Sequence, residues 1–217
     1  MAANFREGTD KALPISGFLV SPEAVLDPGG TTVLPEYQFT ICHHEAELVA
    51  IIGTKGKDIS QADAENYIFG FTAGVDVSAR GAWGFLSKAY DGFKPIGPCV
   101  VTSDEIGDLS RLQVRLSVDG QPRQNYSISD IAHPLPECLE YFSKIMTVMP
   151  GDLLFLGTNH QGLGPLQDGE MCHIEIDIIG GFDFHVVDPY KRSWPKAIDP
   201  EVGRNVRQML ESGMAPV

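Results

Sequence analysis

The stretch RLQVRLSVDGQPRQNYSI, residues 111 to 128, constrains the fold most tightly. Two alternating runs flank Asp119-Gly120, and a two-residue type I′ turn needs positive φ at both central positions, which Asp and Gly tolerate. A β-hairpin is therefore expected here. The same punctuation runs through the whole chain, where 23 Gly and 15 Pro in 217 residues separate short strand-like pieces. Turns, rather than helices, join most of these pieces, which disfavours a doubly wound parallel sheet and leaves a mixed, mainly β fold (α+β) with two or three helices.

Tyr37 to Gly53 reads as one long strand. DISQADAENYIFG is expected to be a helix capped by Ser60 and ended by Gly70. FTAGVDVSAR returns as strand, and the stretch from Gly81 through KAYDGFKPIGP as an irregular loop. LPECLEYFSKIM makes a second helix started by Pro136, and MCHIEIDIIGGFDFHVV two more strands. DPEVGRNVRQMLESG could form a last helix at the surface. The length suits one domain over residues 1–217, with 1–36 a short N-terminal segment and 189–217 a C-terminal tail.

Charge narrows the partners. A formal charge of −13 with no basic stripe argues against nucleic acid and anionic membranes, which are held by clustered cations. No apolar run approaches the roughly 20 residues that cross a bilayer. The four cysteines stand far apart with no CxxC pair, and the amino terminus lacks an apolar leader, so a cytoplasmic protein with reduced thiols is expected.

CHHEAELVA, residues 42 to 50, carries two acids in an otherwise apolar run. In a strand, residues i and i+2 share a face, so Glu45 and Glu47 project together, with His43 beside them. Two buried carboxylates this close are tolerable if one is protonated, if a Lys or Arg intervenes, or if a divalent cation binds both; a solvent-facing strand is the plainer alternative. Asp76, a lone acid in GVDVSAR, is the best third ligand. Three carboxylates plus waters suit Mg²⁺ or Mn²⁺.

HHEAELVAIIG, GFTAGVDVSAR, KAYDGFKPIGP, QNYSISD and PGDLLFLGT, in this order, resemble the fumarylacetoacetate hydrolase superfamily from about Glu45 to Asp188. The resemblance implies a mixed β-roll or β-sandwich, usually a homodimer, with Glu45, Glu47 and Asp76 holding Mg²⁺ or Mn²⁺. It implies a small oxo-acid substrate whose two oxygens are chelated, so that a C–C bond breaks with an enolate as the leaving carbon. Lys88 matches the family's lysine near the metal. Thr158 and Gly157 match a substrate-carboxylate loop, Gln124 lines the same cleft, and Arg80 and Asp91 match positions around it.

The chain also departs from the family. Where many members carry Asn-Tyr-x-x-His followed by Glu, this chain has NFREG, with Gly8 in place of the His and no Glu where the family's acid should follow. The segment between Arg80 and Lys88 is short. The usual Gly-Thr-Pro becomes Gly157-Thr158-Asn159-His160, so His160 or His43 is left as the candidate acid or base. The implied activity is hydrolysis of a C–C bond in an acylpyruvate or fumarylacetoacetate-like acid. Decarboxylation or keto-enol isomerisation of an oxaloacetate-like acid is the first alternative, because neither needs an activated water. A catalytically silent protein that binds metal and a carboxylate is the second.

Overall fold

The computed structural model describes residues 1–82 and 84–213; Trp83, in the expected loop after Arg80, and residues 214–217 lie outside them. The strands are β1 (Val25–Leu26), β2 (Thr31–Val33), β3 (Ile41–His43), β4 (Ala46–Ile52), β5 (Ile68–Val75) and β6 (Ser78–Arg80). They continue with β7 (Lys94–Thr102), β8 (Gln113–Val118), β9 (Gln121–Ser127), β10 (Leu153–Phe155), β11 (Met171–Ile176) and β12 (Gly180–Val187). The α-helices are α1 (Ser103–Ile106), α2 (Leu135–Ile145) and α3 (Pro200–Ser212). None is long and apolar enough to cross a membrane.

Two five-stranded sheets, ordered β1-β7-β5-β4-β10 and β2-β12-β11-β8-β9, enclose a common core, and β3 pairs with β6 in a separate ribbon. Strands β8, β11 and β12 alternate buried and exposed residues, the period-2 pattern of a sheet with one wet face. By contrast, β4 and the second half of β5 are buried on both faces. Leu48 and Ala73 from the first sheet meet Leu116, Ile174 and Phe184 from the second in one apolar cluster. This is the mixed, mainly β architecture expected from the turn-rich sequence.

The hairpin forms as its turn chemistry requires: β8 and β9 pair about Asp119 (φ 49°) and Gly120 (φ 73°). Helix α2 starts with Pro136 in its first turn and buries Leu135, Cys138, Leu139 and Ser143, one helical face. Helix α3 is capped by the Asp199 side chain, which accepts from Glu201 N, and ends at Gly213 in the left-handed region. It is not merely a surface appendage, since Val206 and Leu210 pack on Leu13.

Three expectations need correction. The run from Tyr37 to Gly53 is two strands, because β3 pairs with β6 while β4 pairs with β5, and the chain bends between them at His44-Glu45. The opposite strand bends at Asp76-Val77, and Asp76 N donates to Glu45 O at 2.8 Å across the bend. The helix after Ser60 is a 3₁₀ segment, Gln61–Tyr67, that stops where Ile68 enters β5; Gly70 lies inside that strand. Finally, Lys94 to Pro98 belongs to β7, because parallel pairing with β1 and antiparallel pairing with β5 override the Pro and Gly signals.

A Cβ at Gly120 would meet nothing within 4 Å, so Gly120→Ala tests the backbone conformation alone. It should destabilise the protein by about 1 kcal/mol in urea unfolding. An unchanged midpoint would show that the turn does not need its positive φ.

Candidate metal centre

The twin bends decide where the acids go. Glu45 leaves the end of β4 at one bend, Asp76 leaves the end of β5 at the other, and Glu47 stands one step inside β4 opposite Gly74. Ligand oxygens of these three residues lie within 4.8 Å of one another, all buried. Ordinarily such a cluster would not stay ionised, because desolvation and mutual repulsion both disfavour the charge.

Three cations make it tolerable. Lys88 Nζ stands 2.7 Å from both Glu45 Oε2 and Asp76 Oδ2, and Lys94 Nζ is 2.8 Å from Asp76 Oδ1. Arg80 binds Glu45 Oε1. Burial works against the Glu45 carboxylate, yet Lys88, Arg80 and His160 outweigh it and hold its pKa well below the ordinary range. Burial likewise opposes the Lys88 ammonium, but Asp76 and Glu45 raise its pKa nonetheless. For Lys94 burial prevails and the pKa falls.

Glu47 is the exception. Its Oε2 accepts from Gly157 N at 2.5 Å, while its Oε1 is buried without a partner. Burial, reinforced by Asp76 and Glu45 against the opposing amino terminus, pushes its pKa up to about 8. An orphaned, desolvated oxygen beside two further carboxylates is the donor set a hard divalent cation takes, and each engaged carboxylate oxygen keeps a second lone pair. Glu45, Glu47 and Asp76 thus fit Mg²⁺ or Mn²⁺.

The other expected site residues divide into those that converge on this centre and those that do not. Gly157 adopts φ 93° and turns its N–H onto Glu47; a Cβ there would stand 2.9 Å from Asn4 Cβ. Gln124 is a buried hub whose Oε1 accepts from Ala46 N at 2.9 Å and faces His44 Nδ1 at 3.1 Å. Its Nε2 donates to Thr158 Oγ1 at 2.7 Å and to Asn159 O at 2.9 Å. Asp91 is exposed in a turn and joins none of these contacts.

The two imidazoles differ in what holds them. His43 is fully buried between Arg80 Nε, which donates to Nδ1 at 3.3 Å, and Asp199 Oδ2, 3.3 Å from Nε2. Burial, with Arg80 adding to it, lowers the His43 pKa to about 4, so the ring is neutral at pH 7. The bend after His43 ends the strand alternation with Glu45, and Arg80 bridges the two, bonding His43 Nδ1 and Glu45 Oε1. His160 opens a short 3₁₀ turn capped by Asn159, and its Nδ1 lies 2.8 Å from Glu7 Oε1.

Lys94, Glu7 and Asp199 were missed in the sequence. Lys94 sat in a stretch whose Pro and Gly suggested a loop, and the contacts of Asp199 span the length of the chain. Glu7 had a visible signal, an acid inside NFREG, but the expectation looked for one only after Gly8.

At pH 7 the Glu47 proton must leave before a cation can use both oxygens. Mg²⁺ affinity should therefore rise by up to about tenfold per pH unit below pH 8 and level off above it. Calorimetric titration from pH 6 to 9 checks this, and a flat affinity would contradict the protonated Glu47.

Comparison with known proteins agrees with the fold. The chain is 38% identical over 179 residues to an uncharacterised protein of Pyrococcus horikoshii, covering 78% of this chain and 76% of that one. It is 36% identical over 143 residues to a mitochondrial oxaloacetate decarboxylase of Dictyostelium discoideum, covering 62% and 65%. The structure superposes on fumarylpyruvate hydrolase from Pseudomonas aeruginosa, solved with Mn²⁺ and pyruvate, with a TM-score of 0.72, 31% identity and coverage of 78% and 77%. Residues 2–187 match the family described as fumarylacetoacetate (FAA) hydrolase C-terminal, and the chain belongs to that family.

Proposed function

We propose that the protein is a divalent-metal-dependent hydrolase that cleaves a C–C bond in a small 1,3-diketo or 2-oxo acid of the acylpyruvate or fumarylacetoacetate type. The carrying observation is the charge balance of the centre. Glu45, Glu47 and Asp76 face Lys88, Lys94 and Arg80, three carboxylates against three cations. A divalent cation adds two positive charges that the chain does not neutralise, and an anionic oxo acid supplies the missing negative charge.

When bound by Glu45, Glu47 and Asp76, Mg²⁺ or Mn²⁺ supplies Lewis-acid polarisation of the substrate oxygens. The residues of the chain do the rest. Lys88, fixed between Glu45 and Asp76, has a third N–H to donate to a substrate oxygen. Gln124 donates to Thr158 Oγ1, and the hydroxyl hydrogen, which makes only a long 3.4 Å contact to Asn159 O, can turn to a substrate carboxylate. Gly157 orients Glu47, and Arg80 orients Glu45. Hydrolysis also needs a group that takes a proton from water. His43 is hemmed in on both sides, Nδ1 accepting from Arg80 Nε and Nε2 lying 3.3 Å from Asp199 Oδ2, so we assign that step to His160 and give His43 the orientation of Arg80.

The similarity to oxaloacetate decarboxylase supports a second reading, decarboxylation or tautomerisation of an oxo acid, which uses the same anion site without water attack. A homodimer belongs to the proposal on the family resemblance.

With Mg²⁺, the protein should release pyruvate or its homologue from acylpyruvates and fumarylpyruvate, followed by loss of enol absorbance. Glu47→Ala should lose both cation binding and turnover, because two acids leave too few charged oxygens. Turnover of oxaloacetate alone would overturn hydrolysis in favour of the second reading. No turnover with metal bound would favour a silent binding protein.

A further inference from the structure

The amino-terminal segment and the carboxy-terminal helix meet at one imidazole. Glu7 is completely buried and holds φ 54°, a left-handed conformation that a glutamate adopts only where its surroundings impose it. Its Oε1 accepts two hydrogen bonds from the same residue, from His160 N at 2.9 Å and from His160 Nδ1 at 2.8 Å. Its Oε2 is buried without a partner. Gln161 Nε2 donates to Glu7 O at 3.0 Å, which closes the turn over the pair.

This contact fixes the proton on the ring. A carboxylate can only accept, so Nδ1 carries the hydrogen and Nε2 keeps its lone pair. Among the described residues no group bonds Nε2. The ring lies two residues beyond Thr158 and near enough to Glu45 for their charges to interact. A carboxylate behind an imidazole, with the far nitrogen free, is the arrangement of a general base oriented by an acid.

The pair is clamped by α3, which lies beyond the residues shared with the family. Gly203 packs so closely that a Cβ would stand 3.0 Å from His160 O, and Asp199 N donates to Leu163 O at 2.7 Å. On the other side Val206 and Leu210 pack on Leu13, and Lys11 Nζ donates to Glu211 O at 2.9 Å. The helix therefore fastens the segment carrying Glu7 to the turn carrying His160.

We propose that Glu7 and His160 form the proton-transfer pair of this protein, with His160 Nε2 the atom that moves the proton, Glu7 the residue that positions it and α3 the clamp. The inference rests on the hydrolytic reading. In the reaction a water O–H bond breaks and its proton goes to Nε2, while the oxygen bonds to the acyl carbon. The C–C bond then breaks, its electron pair passes to the oxo-acid carbon, and the proton on Nε2 moves to that carbon. The products are a carboxylic acid and the shorter oxo acid, with the imidazole neutral again.

The test compares wild type, Glu7→Gln, Glu7→Asp and His160→Gln by nitrogen-15 NMR, by steady-state kinetics that separate kcat from KM, and by Mg²⁺ titration. Wild-type His160 should be protonated on Nδ1. His160→Gln should lower kcat by about 100-fold or more with Mg²⁺ affinity unchanged. Glu7→Gln should lower kcat by about tenfold with KM and Mg²⁺ affinity unchanged, because the ring loses the carboxylate that orients it, and Glu7→Asp should restore part of kcat. A wild-type ring protonated on Nε2, or a folded Glu7→Gln with the wild-type kcat, would overturn the proposal. If Glu7→Gln does not fold, the wild-type tautomer and His160→Gln decide. If wild type turns over no oxo acid, the hydrolytic reading fails separately. The pair then stands only if His160 Nε2 takes up a proton when oxalate binds the Mg²⁺-loaded protein, and falls if it does not.

Discussion

Everything in the centre depends on burying three carboxylates where two paired strands bend together. A straight β4 and β5 would carry their side chains to opposite faces at every step. The shared bend at Glu45 and Asp76, joined by a backbone hydrogen bond, turns both acids into one space with Glu47. Desolvation of such a cluster is unfavourable, and Lys88 and Arg80, with His160, allow the ionised form of Glu45 to persist. The cations Arg80, Lys88 and Lys94 lie close together in the chain, on β6, in the loop after it and at the start of β7, so the centre draws its acids and its cations from neighbouring strands.

The second layer is a network around Gln124. One amide joins the bend of β4 to the Thr158 loop, accepting from Ala46 N and donating to Thr158 and Asn159. Gly157 in the same loop meets Glu47. A shift of that loop therefore moves an acid and the Thr158 hydroxyl together. Asp199, His43 and Arg80 form a comparable path from the cap of α3 to Glu45. Both ends of the chain thus bear on the site.

Much of this was legible in the sequence where chemistry is local. The Asp119-Gly120 turn, the Ser60 cap and the pairing of Glu45 with Glu47 each follow from a few adjacent residues. The bend at His44 was not legible, because apolar residues continue through it and only the partner strand shows where pairing changes. Lys94 was hidden for a related reason: a strand containing Pro and Gly reads as a loop until its neighbours are known. Glu7 and Asp199 lie far in sequence from the groups they touch. The Gly and Pro content spoke to the turn-rich fold, and the four cysteines, all free, touch none of the site's groups named above.

The central claim is that the three acids are a cation site and not a salt-bridge cluster sufficient in itself. X-ray diffraction from crystals grown with Mn²⁺, collected at the manganese absorption edge, tests it most directly. The account predicts one strong anomalous peak coordinated by Glu45, Glu47 and Asp76 together. A peak elsewhere, or none with Lys88 still bridging Glu45 and Asp76, would contradict it.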